Sequence, residues 1–146
     1  MARILVVDDE PTIRALIQVV LEQDGHTVIT AANGLEGIVR VVDDLPDLIL
    51  LDLVMPELGG LTVARALRTT LKAARTVPII MLTAWDNARD QALEHGVDDF
   101  LPKPVDVREL KRRVVAALEA SETMRTGGEL DRALAYLRAL DKRKAP

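Results

Sequence analysis

The sequence contains no cysteine, which excludes a disulfide framework and any thiolate metal centre. Aromatic residues are almost as scarce. Trp85, Phe100 and Tyr136 stand alone, too few for a base-stacking nucleic-acid surface. Histidine occurs only at His26 and His95, beside glycines at predicted helix ends where a cation suits the helix dipole, and neither is assigned chemistry. No stretch approaches the ~18 uninterrupted apolar residues of a membrane helix, and the lead from Met1 to Val7 is too short for a secretory signal. A soluble, cytoplasmic protein without membrane contact is expected. An excess of basic charge is lacking too, with 19 Lys and Arg against 23 Asp and Glu. The net charge is −4, and six basic against four acidic residues over 121–146 leave −6 on the first 120. An acidic domain repels phosphodiester backbones, so no nucleic-acid binding is expected of this chain alone.

What is present suits a globular protein: 146 residues, 49% hydrophobic and 29% charged, enough for one domain with a short extension. Apolar runs alternate with helical patterns. Ile4-Leu5-Val6-Val7 reads as a buried strand ended by Asp8 and Asp9. Pro11 opens a helix through Ile13, Leu16, Ile17, Val20 and Leu21, closed by Gly25. Thr27 to Ala31 is a weaker strand, and Asn33-Gly34 a turn before a second helix through Leu35, Ile38, Val39 and Val42. Leu48 to Leu51 is a strand ended by Asp52. A helix through Val63, Ala66, Leu67 and Leu71 follows, then a strand from Val77 to Leu82 ended by Thr83. Asp86 to His95 is a short helix stopped by Gly96. Phe100-Leu101 lies in a fifth strand before Pro102-Lys103-Pro104, and Val107, Leu110, Val114, Val115 and Leu118 mark the next helix. This alternation predicts an α/β fold, a doubly wound five-stranded parallel sheet with helices on both faces.

The composition changes after Ala120. We expect a domain over 1–120, a linker over 121–128 containing Gly127-Gly128, and an amphipathic C-terminal helix over 129–146. Leu130, Ala133, Leu134, Leu137 and Leu140 repeat there at helical spacing. That stripe fits docking on its own domain, on a second copy or on a partner protein, or a chain whose further domain is missing.

The chemistry lies in which polar residues end the strands. Asp8 and Asp9 follow the first, Asp52 the third, Thr83 the fourth and Lys103 the fifth. Sites in open parallel sheets form at the carboxyl ends of strands, where strand order reverses, so these residues should share one cleft. Crowded carboxylates need a cation, and an all-oxygen set selects a hard ion such as Mg²⁺. A carboxylate beside such an ion and an ammonium group can attack a phosphoryl group. Lys103 would offset charge in the transition state, and Thr83 could hydrogen-bond the bound phosphate. Each residue also has a plainer reading: Asp8 and Asp9 as caps of the first helix, Asp52 and Lys103 as turn residues, Thr83 as a cap, Phe100 as core. The run Lys111-Arg112-Arg113 is either a solvated face or, through Arg113 with Asp98 or Asp99, a contact in a homodimer.

The segments VVDDEP (6–11), LLDLVMPELGG (50–60), LTA (82–84) and FLPKP (100–104) resemble the signatures of response-regulator receiver domains of bacterial two-component signalling. The resemblance spans roughly residues 3–120 and implies a flavodoxin-like sheet of order 2-1-3-4-5. It implies that Asp52 accepts phosphate from a sensor histidine kinase, and that Asp8, Asp9, Asp52 and the Val54 carbonyl hold Mg²⁺. It further implies that Thr83 and Phe100 form a switch pair, that Lys103 contacts the phosphate, and that the Lys103-Pro104 peptide is cis. The output would be a reshaped surface for a downstream effector or a second copy: a switch, not an enzyme in the usual sense. Gly59 stands where the family often has Asp. Val54 and Trp85, two residues after Asp52 and Thr83, are apolar, which suggests a long-lived phosphoryl group because neither orients water.

Two other readings compete. A Mg²⁺-dependent phosphatase or phosphotransferase with an aspartyl intermediate would commonly place an acid two residues after the nucleophile, where this chain has Val54. A truncated transcriptional regulator would need a basic recognition module, for which residues 129–144 are too short.

Overall fold

The computed structural model describes residues 1–84, 96–126 and 128–144. Five parallel strands, β1 (Arg3–Val7), β2 (Thr27–Ala31), β3 (Leu48–Asp52), β4 (Ile79–Thr83) and β5 (Asp99–Pro102), form one sheet in the order β2-β1-β3-β4-β5. The helices are α1 (Pro11–Gln23), α2 (Gly34–Asp44), α3 (Gly60–Thr69), α4 (Val107–Thr126) and α5 (Glu129–Lys144). The expected helix over 86–95, with Trp85 and His95, lies outside the described residues.

Why the strands read as unbroken apolar runs is plain from the packing. Successive side chains of a strand point to opposite faces, and both faces here are covered. Leu5, Val7, Ile49, Leu51, Ile79 and Met81 meet Val41 of α2 and Val63, Ala64 and Leu67 of α3. Ile4, Val6, Leu48, Leu50, Ile80 and Leu82 meet Ile17, Val20 and Leu21 of α1 and Leu110 and Val114 of α4. A polar residue inside any of these runs would be stranded, so polar residues are confined to the strand ends. The chain crosses from one face to the other between β1 and β3, which opens a crevice at their carboxyl ends.

Local signals differ from the sequence reading in three places. Asn33 is the cap of α2 rather than half of a free turn: its side chain accepts the Glu36 N–H at 2.8 Å, and Glu36 accepts the Ala32 N–H in return, a reciprocal capping arrangement. The α3 helix stops at Thr69, before Leu71. The helix expected to end near Ala120 runs on through Ser121–Thr126, where a linker was expected. Those residues are polar but hold no Gly or Pro, and Thr123 Oγ1 donates back to the Glu119 carbonyl at 3.0 Å, so polarity marks an exposed helix there and not a break.

The last helix folds back along α4 and reaches the edge strand β5. Ala135 is buried, whereas Leu130, Leu134, Tyr136 and Leu137 stay exposed. Among the described side chains of this helix, Ala135 is the one turned onto the domain, and Leu130, Leu134 and Leu137 are not. No helix among the described residues is long and apolar enough to cross a membrane.

Candidate functional site

The sheet brings the predicted residues to one rim. β1 ends into Asp8 and Asp9, β3 ends in Asp52, and β5 leads into Lys103. Oxygens of Asp8, Asp9 and Asp52 lie within 4.8 Å of one another. Lys103 Nζ stands 3.0 Å from Asp8 Oδ2, 3.2 Å from Asp52 Oδ1 and 3.5 Å from Glu10 Oε1. Neither aspartate is a helix cap. The cap position of α1 is Glu10, without a side-chain hydrogen bond, and Asp8 Oδ1 accepts the Glu10 N–H at 2.9 Å, which fixes the turn leaving β1. The Arg14 guanidinium donates to the Asp8 carbonyl at 2.7 Å.

The electrostatics follow from this crowding. Burial, and then the neighbouring Asp8 charge, push the Asp52 carboxyl up to about 7, against the opposing pull of Lys103. Burial works against the Lys103 ammonium, but its hydrogen bond to Asp8 and the charges of Asp52 and Asp8 outweigh that, so it titrates above the ordinary lysine value. Asp8 Oδ2 is wholly buried and, among the described residues, has no hydrogen-bond partner beyond the Lys103 ion pair. Three carboxylates against one buried ammonium leave surplus negative charge. The oxygen-only donor set and the under-coordinated Asp8 Oδ2 fit a hard divalent cation.

Thr83 is buried at the end of β4, and its carbonyl accepts the Lys103 N–H at 2.8 Å. Phe100 pairs in register with Met81, two residues before Thr83. By the alternation of β4, Thr83 and Met81 share a face, and Phe100 packs against the core on that same face. The Lys103-Pro104 peptide is cis. Val54 is half-exposed and donates its N–H to Asp52 Oδ1 at 3.4 Å.

Arg113 is committed within the chain, to Asp99 and to Glu109, both at 2.6 Å, and Asp98 pairs with Arg68 at 2.8 Å. Within one chain the partners of Arg113 thus come from β5 and its own helix. Sequence reasoning also passed over two residues. Glu10 joins the Lys103 cluster from an exposed position, with no pattern to announce it. Gly60 was read only as loop, yet a Cβ there would run into the Asp52 carbonyl oxygen, while one at Gly59 would meet nothing closer than 3.5 Å. Gly60 lets α3 begin directly against the end of β3.

Comparison with known proteins agrees with this geometry. A family model described as response regulator receiver domain matches residues 4–115. The chain is 42% identical over 130 residues to the alkaline phosphatase synthesis transcriptional regulatory protein PhoP of Bacillus subtilis, covering 88% of this chain and 53% of that protein. It is 41% identical over 124 residues to the DNA-binding dual master transcriptional regulator RpaA of a Synechocystis strain, covering 84% and 51%. The chain thus spans about half the length of these relatives. The solved structure of the chemotaxis protein CheY4 of Vibrio cholerae superposes with a TM-score of 0.76 at 29% identity, covering 81% of this chain and 99% of that one. With the strand order, the acidic rim and the family match in agreement, the chain belongs to the response-regulator receiver domains of two-component signalling.

Proposed function

We propose that Asp52 is the phosphoacceptor of this receiver domain and that its donor is the phosphohistidine of a sensor kinase. One observation carries the reading. A buried carboxylate at the end of the central strand faces a lysine ammonium at 3.2 Å and two further carboxylates within 4.8 Å. Asp8, Asp9 and Asp52, with the Val54 carbonyl, would hold Mg²⁺, which when bound supplies positive charge to the phosphoryl oxygens. Asp52 forms the new carboxylate–phosphorus bond as the phosphorus–nitrogen bond of the donor breaks. Lys103 neutralises charge gathering on the transferring group. Since only contacts that differ between two states can bias them, the switch rests on Thr83, which gains a phosphate oxygen to hydrogen-bond, and on Phe100, which follows on the same face of the sheet. The surface of β5 and α4 would then change for a downstream effector. The domain organisation we favour is a receiver over 1–120 followed by an appended helical segment.

Val54 favours a stoichiometric switch over a phosphatase, because the position two residues after Asp52 holds no acid or base. The test is incubation with acetyl phosphate and Mg²⁺, followed by intact mass. One phosphoryl group per chain, absent in Asp52→Asn, supports the reading. Labelling that survives Asp52→Asn, or many turnovers of varied phosphate esters, overturns it.

A further inference from the structure

Among the described residues, Glu10 is the one partner of Lys103 that faces solvent. The ammonium group has three N–H donors, and three carboxylate oxygens surround it: Asp8 Oδ2 at 3.0 Å, Asp52 Oδ1 at 3.2 Å and Glu10 Oε1 at 3.5 Å. The Asp8 and Asp52 side chains are buried, whereas that of Glu10 is 60% exposed. Its backbone is fixed there. Pro11 keeps the residue before it extended, the Glu10 N–H donates to Asp8 Oδ1 at 2.9 Å, and its carbonyl accepts the Arg14 N–H at 3.1 Å. The Glu10 carboxylate caps no helix N–H, so it is left to Lys103. Nor does it belong to the oxygen cluster of Asp8, Asp9 and Asp52 that fits a cation.

A phosphoryl oxygen that binds Lys103 needs one of these three positions. Leaving Asp8 Oδ2 would strand a buried charge, and Asp52 is the attacking group. The Glu10 contact is the longest, and an exposed carboxylate is rehydrated on release. A donor arriving from solvent therefore displaces Glu10 and passes close to its charge. We infer that Glu10 is a specificity-determining residue, selecting by charge for phosphoryl donors whose leaving atom is a protonated nitrogen over dianionic acyl phosphates. The inference rests on Asp52 as the phosphoacceptor.

Two small donors separate the classes. Phosphoramidate, its nitrogen protonated near neutral pH, carries about one net negative charge, and acetyl phosphate about two, so acetyl phosphate meets about twice the repulsion. In both reactions Asp52 forms the carboxylate–phosphorus bond with its own electron pair. The phosphorus–nitrogen bond of phosphoramidate breaks to release ammonia, and the phosphorus–oxygen bond of acetyl phosphate breaks to release acetate. The product on Asp52 is the same, so only the entering donor differs.

The test is the second-order rate constant for labelling the whole chain with each donor in Mg²⁺, read by intact mass. One unit charge acting on another from roughly 5 Å, in a water-like medium at moderate salt, changes a rate about two- to fourfold. The ratio of acetyl phosphate to phosphoramidate rates should thus rise by about that factor in Glu10→Gln. Glu10→Lys should raise it by about the square of that change, and ~0.5 M salt should shrink both effects. A distorted site would slow both donors together and leave the ratio unmoved. An unchanged or lowered ratio in Glu10→Gln, with labelling still lost in Asp52→Asn, overturns this inference and leaves Asp52 as the phosphoacceptor. Labelling that persists in Asp52→Asn, or is absent from the parent, overturns the phosphoacceptor reading and this one with it.

Discussion

Lys103 Nζ lies 3.2 Å from Asp52 Oδ1 and is itself largely buried, with 14% of its side chain exposed. It is the cation that allows Asp8 and Asp52 to share a water-poor rim. Removing one partner of a buried ion pair costs ~3–5 kcal/mol, because it strands the other charge. We therefore expect Lys103→Met to be destabilised by about that much at neutral pH in chelator, less at low pH where Asp52 takes up a proton. Urea denaturation at both pH values checks this. In the same variant, labelling by acetyl phosphate should slow at least ~100-fold, as for loss of other groups that offset transition-state charge.

The raised Asp52 carboxyl makes stability depend on pH in a definite direction. Its folded value of about 7 lies above the ordinary 3.8, so the folded chain holds this proton more tightly than the unfolded chain. The resulting stability is fully present below pH ~4 and is lost as pH rises through ~7. In chelator, Tm should thus fall between pH 5 and pH 8 more steeply in the parent than in Asp52→Asn, which has no such proton to lose. A divalent cation competes with that proton. Mg²⁺ at a hundredfold excess over its Kd should add about 2.7 kcal/mol at pH 8 and far less at pH 5. Scanning calorimetry with and without Mg²⁺ measures both, and an equal effect at the two pH values would contradict the assignment of the cation to Asp52.

Gly60 and Gly59 provide a matched pair. A methyl at Gly60 would run into the backbone of Asp52, whereas Gly59 has ordinary space. We expect Gly60→Ala to cost ~2–3 kcal/mol, because α3 or the end of β3 must move, and to slow phosphorylation by displacing Asp52. Gly59→Asp should change stability by no more than ~0.5 kcal/mol. Thermal melts of the two variants separate the cases.

Much of this fold was legible because strands buried on both faces must be apolar throughout, so the residues that break the runs mark the rim. Asp8, Asp52, Thr83 and Lys103 were found by that rule, which follows from packing and needs no knowledge of chemistry. Other features were hidden for equally physical reasons. The length of α4 was missed because Ser121–Thr126 is polar, and polarity reports exposure more than secondary structure. Gly60 looked like one of two interchangeable glycines, and only the close approach of α3 to β3 separates them. The facing of α5 was open to several readings, since a leucine stripe states that a helix is amphipathic and not which neighbour takes which face. Arg113 was ambiguous because its carboxylates, Asp99 and Glu109, lie on different elements.

Val54 bears on how long a phosphoryl group would persist. Its side chain is half-exposed and its N–H points at Asp52 Oδ1 from 3.4 Å, so it borders the carboxylate proposed to accept the phosphoryl group, without a polar side-chain group to hold water. Hydrolysis of an acyl phosphate needs a water molecule in line with the breaking bond, and a side chain that donates or accepts a hydrogen bond there supplies orientation. We expect Val54→Asn to shorten the lifetime of phosphorylated Asp52 by roughly three- to tenfold, well inside the range positioned polar groups contribute. The rate of phosphorylation should stay close to the parent, because the substitution leaves Asp8, Asp9 and Lys103 in place. Trp85→Glu, altering the other apolar residue singled out in the sequence, should act in the same direction. Following the phosphorylated species by mass after removal of donor measures each decay, and lifetimes equal to or longer than the parent's would refute control by these side chains.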